Sequence, residues 1–262
     1  MNFAVLTIFP EMCRSFFEYG IVRRAIQGGK AAAVAIDIRE FTTDRHHTTD
    51  DRPYGGGCGM VMKPEPLAEA IRAAKRQSPE STVVLLSPRG RIFNQSMARV
   101  FAACSGLVLV CGRYEGVDAR ICRNLIDDEV SIGDYVMSGG EPGALVVMDA
   151  VIRLIPGALG GEDSADKESF SDYLLEHDHY TRPPCFEGED VPEVLLSGNH
   201  AEIDKWRQET ALMYTVLKRP DLLKNRCLSP SERDVLARWH REIENLIHGQ
   251  SVCGAGSLSG GQ

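Results

Sequence analysis

Apolar runs of strand length alternate with amphipathic stretches through the first 155 residues. The runs at 3–9, 32–38, 82–86, 107–111 and 129–132 predict strands. The stretches near 11–26, 65–76, 95–103, 117–126 and 144–155 carry apolar positions at helical spacing and predict helices. Runs of Val, Leu and Ile without polar alternation, each flanked by a helix, suit a parallel sheet covered on both faces, because such strands are buried on both sides. The pattern predicts an α/β domain over 1–158.

The pattern changes after Gly157. Residues 157–179 are polar, acidic and contain three glycines, and 159–179 read as an interdomain linker or mobile loop. Helical periodicity returns at 201–219 and 231–247 with few strand signals, and Ser229-Pro230-Ser231-Glu232 resembles a helix start. A small helical domain over 180–248 is expected, followed by a Gly/Ser-rich disordered tail at 249–262.

Composition narrows the class. The chain has 262 residues, 43% hydrophobic and 25% charged, as a soluble globular protein with a sizeable core would have. Its net charge of −8 argues against a nucleic-acid binder, which usually carries a basic footprint. The distribution weakens that objection. Residues 1–159 balance, whereas 160–178 hold seven acids (Glu162, Asp163, Asp166, Glu168, Asp172, Glu176 and Asp178) against Lys167 alone. Most of the acidity belongs to the linker.

The opening MNFAVLTIFPEM lacks the basic region of a signal peptide, and no apolar run approaches the ~20 residues of a membrane span. Eight cysteines include no CxxC pair, which argues against a zinc site, and several sit in apolar runs as buried thiols would. A cytoplasmic protein with no membrane partner is expected.

Glycine-rich loops carry the chemistry. SPRGR (87–91), CGRYEG (111–116) and SIGDYVMSGGE (131–141) follow predicted strands, where open α/β sheets place ligands, and YGGGCGM (54–60) follows a polar loop. Glycine lets backbone N–H and C=O groups approach a ligand closely, as a flat adenine and its ribose require. No GxGxxG follows the first strand and no Walker A is present, which disfavours a standard dehydrogenase or ATPase.

Six motifs in order then resemble one family: DDRPYGGGCGM (50–60), LSPRGR (86–91), CGRYEGVD (111–118), SIGDYVMSGGE (131–141), HYTRP (179–183) and LLSGNHAEI (195–203). Together they are similar to the bacterial tRNA (guanine-N(1)-)-methyltransferases of the SPOUT class, from residue 1 to about 249. The resemblance implies a parallel sheet with a deep trefoil knot, and a homodimer whose active sites are shared between subunits. It also implies S-adenosylmethionine as methyl donor, Mg²⁺ at a site the sequence does not locate, and methylation of N1 of the guanosine 3′-adjacent to the anticodon in tRNA.

Residue by residue, the resemblance places the adenosylmethionine pocket at Leu86, Ser87 and Pro88, then Gly112, Tyr114, Glu115 and Gly116. Ile132, Gly133, Asp134, Tyr135, Val136, Met137, Gly139 and Gly140 complete it. N1 of guanine must lose a proton as the methyl arrives, so the reaction needs a base near N1 and a donor for charge growing on O6. The resemblance implies Arg153 as the donor. The family's base lies in Asp-Ser-Phe, where this chain reads Glu168-Ser169-Phe170. Register makes Glu168 the base candidate, with Asp166 two residues earlier as the alternative. Cys58 stands where the family has proline, and Pro142-Gly143 where it has Leu-Pro. His46, Asp50, Arg182, Ser197, Asn199 and His200 become candidate tRNA contacts. Two other readings remain: an RNA- or nucleotide-binding protein that lost catalysis through the Asp-to-Glu change, and a small-molecule α/β enzyme with a nucleotide cofactor.

Overall fold

The structure is a computed structural model that describes residues 1–159, 168–224 and 226–254, with side chains to 248. It divides into two compact units that part between Ala165 and Asp166.

The first unit runs β1 (Asn2–Thr7), α1 (Pro10–Phe17), α2 (Gly20–Gln27), β2 (Ala32–Asp37), a 3-10 turn at Ile38–Phe41, β3 (Asp50–Asp51), β4 (Val61–Met62) and α3 (Pro64–Gln77). It continues through β5 (Thr82–Ile92), α4 (Gln95–Ala102), β6 (Gly106–Cys111), α5 (Ala119–Leu125), β7 (Asp128–Ser131) and α6 (Glu141–Ile152). Five strands form one parallel sheet in the order β2-β1-β6-β5-β7. All five are the strands expected from the apolar runs. The central strand β6, GLVLVC, is buried at every position, which is why its sequence shows no alternation. Two apolar clusters cover the sheet. One gathers Phe3, Leu109, Phe101, Met148 and Ile152, and the other Leu6, Leu67, Ile71, Val110 and Ile121.

Local chemistry moves several boundaries. The helix expected over 11–26 is two, because Tyr19 is extended between α1 and α2. The helix expected from 117 begins at Ala119, where the Asp118 side chain accepts the Arg120 N–H at 2.8 Å. The helix expected from 144 begins at Glu141, with Pro142 in its first turn. Strand β5 outlasts its apolar run. Leu86 and Arg91 both pair with Val130 of β7, so residues 87–90 bulge out before pairing resumes.

In the second unit β8 (Cys185–Phe186) and β9 (Glu189–Asp190) make a short hairpin. The helices α7 (Glu193–Leu196), α8 (His200–Lys218), α9 (Pro220–Leu223) and α10 (Pro230–Gly254) follow. The expected helices at 201–219 and 231–247 are α8 and α10. Helix α10 continues past 248, where the tail was expected to start, and the rest of that tail, 255–262, lies outside the described residues. The described part of the expected linker packs on α8: the Leu175 N–H donates to Thr215 Oγ1 at 2.9 Å, and Tyr214 donates to Asp178. Residues 160–167 of that linker, Asp166 among them, lie outside the described residues.

Candidate active site

The bulge of β5 and the loops that follow β6 and β7 enclose one cavity of about 290 Å³ at the C-terminal ends of the strands, where a parallel sheet presents its ligand site. Every residue named for the adenosylmethionine pocket lines it except Asp134, which is exposed in the same loop. Residues from three sequence segments therefore meet as the motifs suggested. Tyr114 and Tyr135 are half exposed rather than packed into the core. Tyr135 donates to the Ile132 carbonyl at 3.1 Å, which folds its ring back over its own loop.

The walls show backbone where a ligand would bind. Gly116 has φ +110, and a side chain added there would meet nothing within 4 Å, so this wall is open backbone facing free space. Gly140 explains the tight join between two of the loops. Its N–H donates to the Gly112 carbonyl at 2.9 Å, and a Cβ there would stand 2.8 Å from Cys111 Cα. Only glycine lets the 131–141 segment lie this close to the strand end of β6.

A buried ion pair that sequence reasoning missed fixes the same join. Glu141, the first residue of α6, is fully buried. Arg113 Nε donates to its carboxylate at 3.0 Å, and the Thr7 hydroxyl at the end of β1 donates to Oε1 at 2.6 Å. The Arg113 guanidinium lies 4.5 Å from the Phe9 ring centroid, a cation–π contact. The neighbouring thiols stay neutral. Burial, with Glu141 adding to it, pushes Cys13 up to about 11 and Cys111 well above the usual thiol value. Arg113 is thus the positive charge that matches Glu141. Both lie in quoted motifs, CGR and SGGE, yet 28 positions apart nothing in either motif announces the pair. The one local sign was an acid opening an apolar helix, where the helix dipole favours it.

The cavity also takes in Arg89, Val117, Cys122, Glu129, Ser138 and Gly143, which were not named from the motifs. The YGGGCGM loop braces it from outside: the Glu115 N–H donates to the Met60 carbonyl and the Met62 N–H to the Gly116 carbonyl, both at 2.9 Å.

The catalytic candidates lie elsewhere. Arg153 caps the C-terminal end of α6, part-buried, its N–H donating to the Asp149 carbonyl at 3.2 Å. Glu168 opens the described part of the second unit, part-buried, its carbonyl accepting the Ser171 N–H at 3.1 Å. The candidate RNA contacts divide between the units. In the first, His46 is exposed in a turn capped by Asp44, and Asp50 pairs with Met62. In the second, Arg182 and His200 are exposed. Ser197 and Asn199 serve the start of α8: Asn199 accepts the Glu202 N–H, and Ser197 accepts the Asn199 N–H at 3.1 Å.

Comparison with known proteins decides the lineage. A family model for tRNA (Guanine-1)-methyltransferase TrmD matches residues 1–225. The chain belongs to this family. A tRNA (guanine-N(1)-)-methyltransferase of Desulfatibacillum aliphaticivorans is 57% identical over 259 residues, covering 99% of both chains. The enzyme of the same name from Methylococcus capsulatus is 55% identical over 93% of this chain and 98% of its own. That of Dehalococcoides mccartyi is 52% identical over 90% and 96%. A methyltransferase of this family implies S-adenosylmethionine as donor. No described helix is long and apolar enough to cross a membrane.

Proposed function

We propose that the protein methylates N1 of the guanosine 3′-adjacent to the anticodon in tRNA, with S-adenosylmethionine as donor. The observation that carries this reading is the cavity at the strand ends, walled by the motif residues of a chain that belongs to the family. S-Adenosylmethionine, when bound, supplies an electrophilic methyl group beside a sulfonium charge. The cavity suits it. Its open glycine backbone can meet adenine and ribose, and the acidic residues Glu115 and Glu129 among its lining suit a cationic ligand.

In this reading Leu86, Gly112, Gly116, Ile132 and Gly140 hold the donor through their backbones, and the Arg113–Glu141 pair keeps their loops in register. Glu168 takes the N1 proton, and Arg153 stabilises the charge that grows on O6. Asp166 is the alternative base. His46, Asp50, Arg182, Ser197, Asn199 and His200 contact the tRNA. The protein works in the cytoplasm as a homodimer with shared active sites, a reading supported by exposed Phe9, Met12 and Tyr19 at α1. Its domains are 1–158, the linker 159–179 and 180–248. A deep trefoil knot belongs to the same reading, supported by the close seat of Gly140 against Cys111 and Gly112.

Mg²⁺ is implied by the resemblance, but it takes oxygen ligands in near-octahedral geometry. Among the described residues the cluster able to ligate a metal offers one carboxylate and two imidazoles. That set does not fit Mg²⁺.

Single-turnover methylation of tRNA by the native protein, Glu168→Gln and Asp166→Asn tests the assignment. Glu168→Gln should lose at least a hundredfold in rate, and Asp166→Asn little. Full activity in Glu168→Gln removes Glu168 as the base. No transfer by the native protein to any tRNA with guanosine at that position overturns the function.

A further inference from the structure

The second unit gathers three potential metal ligands that the methyl-transfer reading does not use. Glu176, His177 and His179 each offer an atom, all within 4.8 Å of one another. Glu176 Oε1 lies 2.8 Å from His179 Nε2, and the two imidazole centroids are 4.7 Å apart. We propose that these side chains form a binding site for one divalent transition ion of the Zn²⁺ class.

The donor set selects the ion. Two imidazoles and a carboxylate suit Zn²⁺, Co²⁺, Ni²⁺ or Cu²⁺, whereas Mg²⁺ and Ca²⁺ take oxygen. Bonds of about 2.0–2.1 Å to a tetrahedral ion put ligand atoms roughly 3.4 Å apart, so Glu176 Oε1 and His179 Nε2 part slightly from 2.8 Å while the remaining atoms, all within 4.8 Å, stay in reach. Three protein ligands leave a fourth position for water, as exposed His179 requires.

The surroundings orient the ligands as metal sites do. His177 Nδ1 lies 2.9 Å from the Asp178 carbonyl oxygen. With its N–H donated there, the Nε2 lone pair is left for the ion. The segment is pinned on both sides of the cluster. Asp178 accepts from Tyr214 of α8, the Leu175 N–H donates to Thr215, and the Trp206 ring lies 6.1 Å from that of His177. The Glu176 N–H donates to Ser169 Oγ at 3.0 Å, so an ion held by Glu176 also restrains the segment beginning at Glu168. Metal binding itself does not depend on Glu168 being the base.

Untagged full-length protein, titrated calorimetrically with ZnCl₂ and followed by absorbance with CoCl₂, tests the site. One ion per chain is expected, undisturbed by excess Mg²⁺, with weak d–d bands and no intense thiolate band in the Co²⁺ spectrum. His177→Ala, His179→Ala and Glu176→Gln should each weaken binding at least tenfold. Glu176→Gln nearly conserves shape, so a loss there is not a folding failure, and circular dichroism checks the other two. His240→Ala, which removes a second His–Glu pair on α10, should bind as the native protein does. A thiolate band, loss of the ion in His240→Ala, or unchanged affinity in the three cluster variants would overturn the proposal.

Discussion

The two units differ in where their strongest ion pairs lie. Around the cavity of the first, the decisive pair is inside: Glu141 is fully buried, and the Arg113 side chain is only 15% exposed. In the second, the pairs Arg207–Asp204, Arg219–Asp221 and Arg238–Glu209 lie at the surface, Arg226–Glu232 at the start of α10 is the part-buried exception, and the buried residues of α8 are few: Ile203, Thr210, Ala211, Leu212 and Thr215. Surface pairs contribute little, about 0–1 kcal/mol each, whereas breaking a buried pair strands a charge. In the proposed function, a pocket for one small donor gains from a frame that cannot relax, whereas a surface that follows a large polyanion has no such need.

Breaking the buried pair should have the largest effect. Arg113→Ala leaves Glu141 buried without its counter-charge and should cost about 3–5 kcal/mol. Removing both charges, in Arg113→Met with Glu141→Leu, should recover much of that loss, since apolar replacement of a buried pair is often near neutral. Both tryptophans, Trp206 and Trp239, lie in the second unit, so their fluorescence follows that unit alone. Urea melts read by circular dichroism should shift strongly for Arg113→Ala while the tryptophan signal moves little. A cost below about 1 kcal/mol, or equal shifts in both signals, would contradict the contrast.

A smaller effect is expected at the glycine join. The added methyl of Gly140→Ala meets backbone at Cys111, which cannot swing aside, so about 1–3 kcal/mol of strain is expected. The strain falls on the cavity wall, so affinity for S-adenosylmethionine, measured by calorimetry, should drop at least tenfold. Normal affinity with normal stability would mean that the loops tolerate separation.

These residues also show what the sequence could reveal. The strands were legible because a parallel sheet buries both faces, leaving unbroken apolar runs such as GLVLVC. The cavity loops were legible because glycine clusters ended those runs. The Arg113–Glu141–Thr7 contact was not, since it joins three distant segments and each residue has an ordinary local excuse. Strands β3 and β4, two residues each, are too short to show a period. The extension of β5 beyond Leu86 was hidden by Pro88 and Gly90, which read as a turn and are a bulge. Glu176, His177 and His179 escaped a search for CxxC spacing because their geometry depends on the path of 175–179 against α8.

The smallest effect isolates one helix start in the second unit. Ser229 Oγ accepts the Glu232 N–H at 3.2 Å, and the Glu232 carboxylate accepts the Ser229 N–H at 2.7 Å, a reciprocal cap on α10. Arg226 adds a 3.0 Å contact to the same carboxylate. Burial alone would raise the pKa of Glu232, but the Ser229 donors and Arg226 outweigh it and hold it below the usual glutamate value. A lowered folded pKa means the unfolded chain takes up the proton first. The stabilisation is therefore complete above the unfolded value of about 4.3 and fades as pH falls through the folded one. Glu232→Gln should lower the tryptophan-detected midpoint at pH 7 by the equivalent of about 1 kcal/mol. At pH 3 the gap between native protein and variant should narrow, because the unfolded chain has by then taken up its proton at 232 and the charge favours the folded state less. Subtracting the variant cancels other depressed acids, such as Asp221, which Arg219 holds down. An equal gap at both pH values would show that the cap acts through shape alone and that the Glu232 charge contributes nothing.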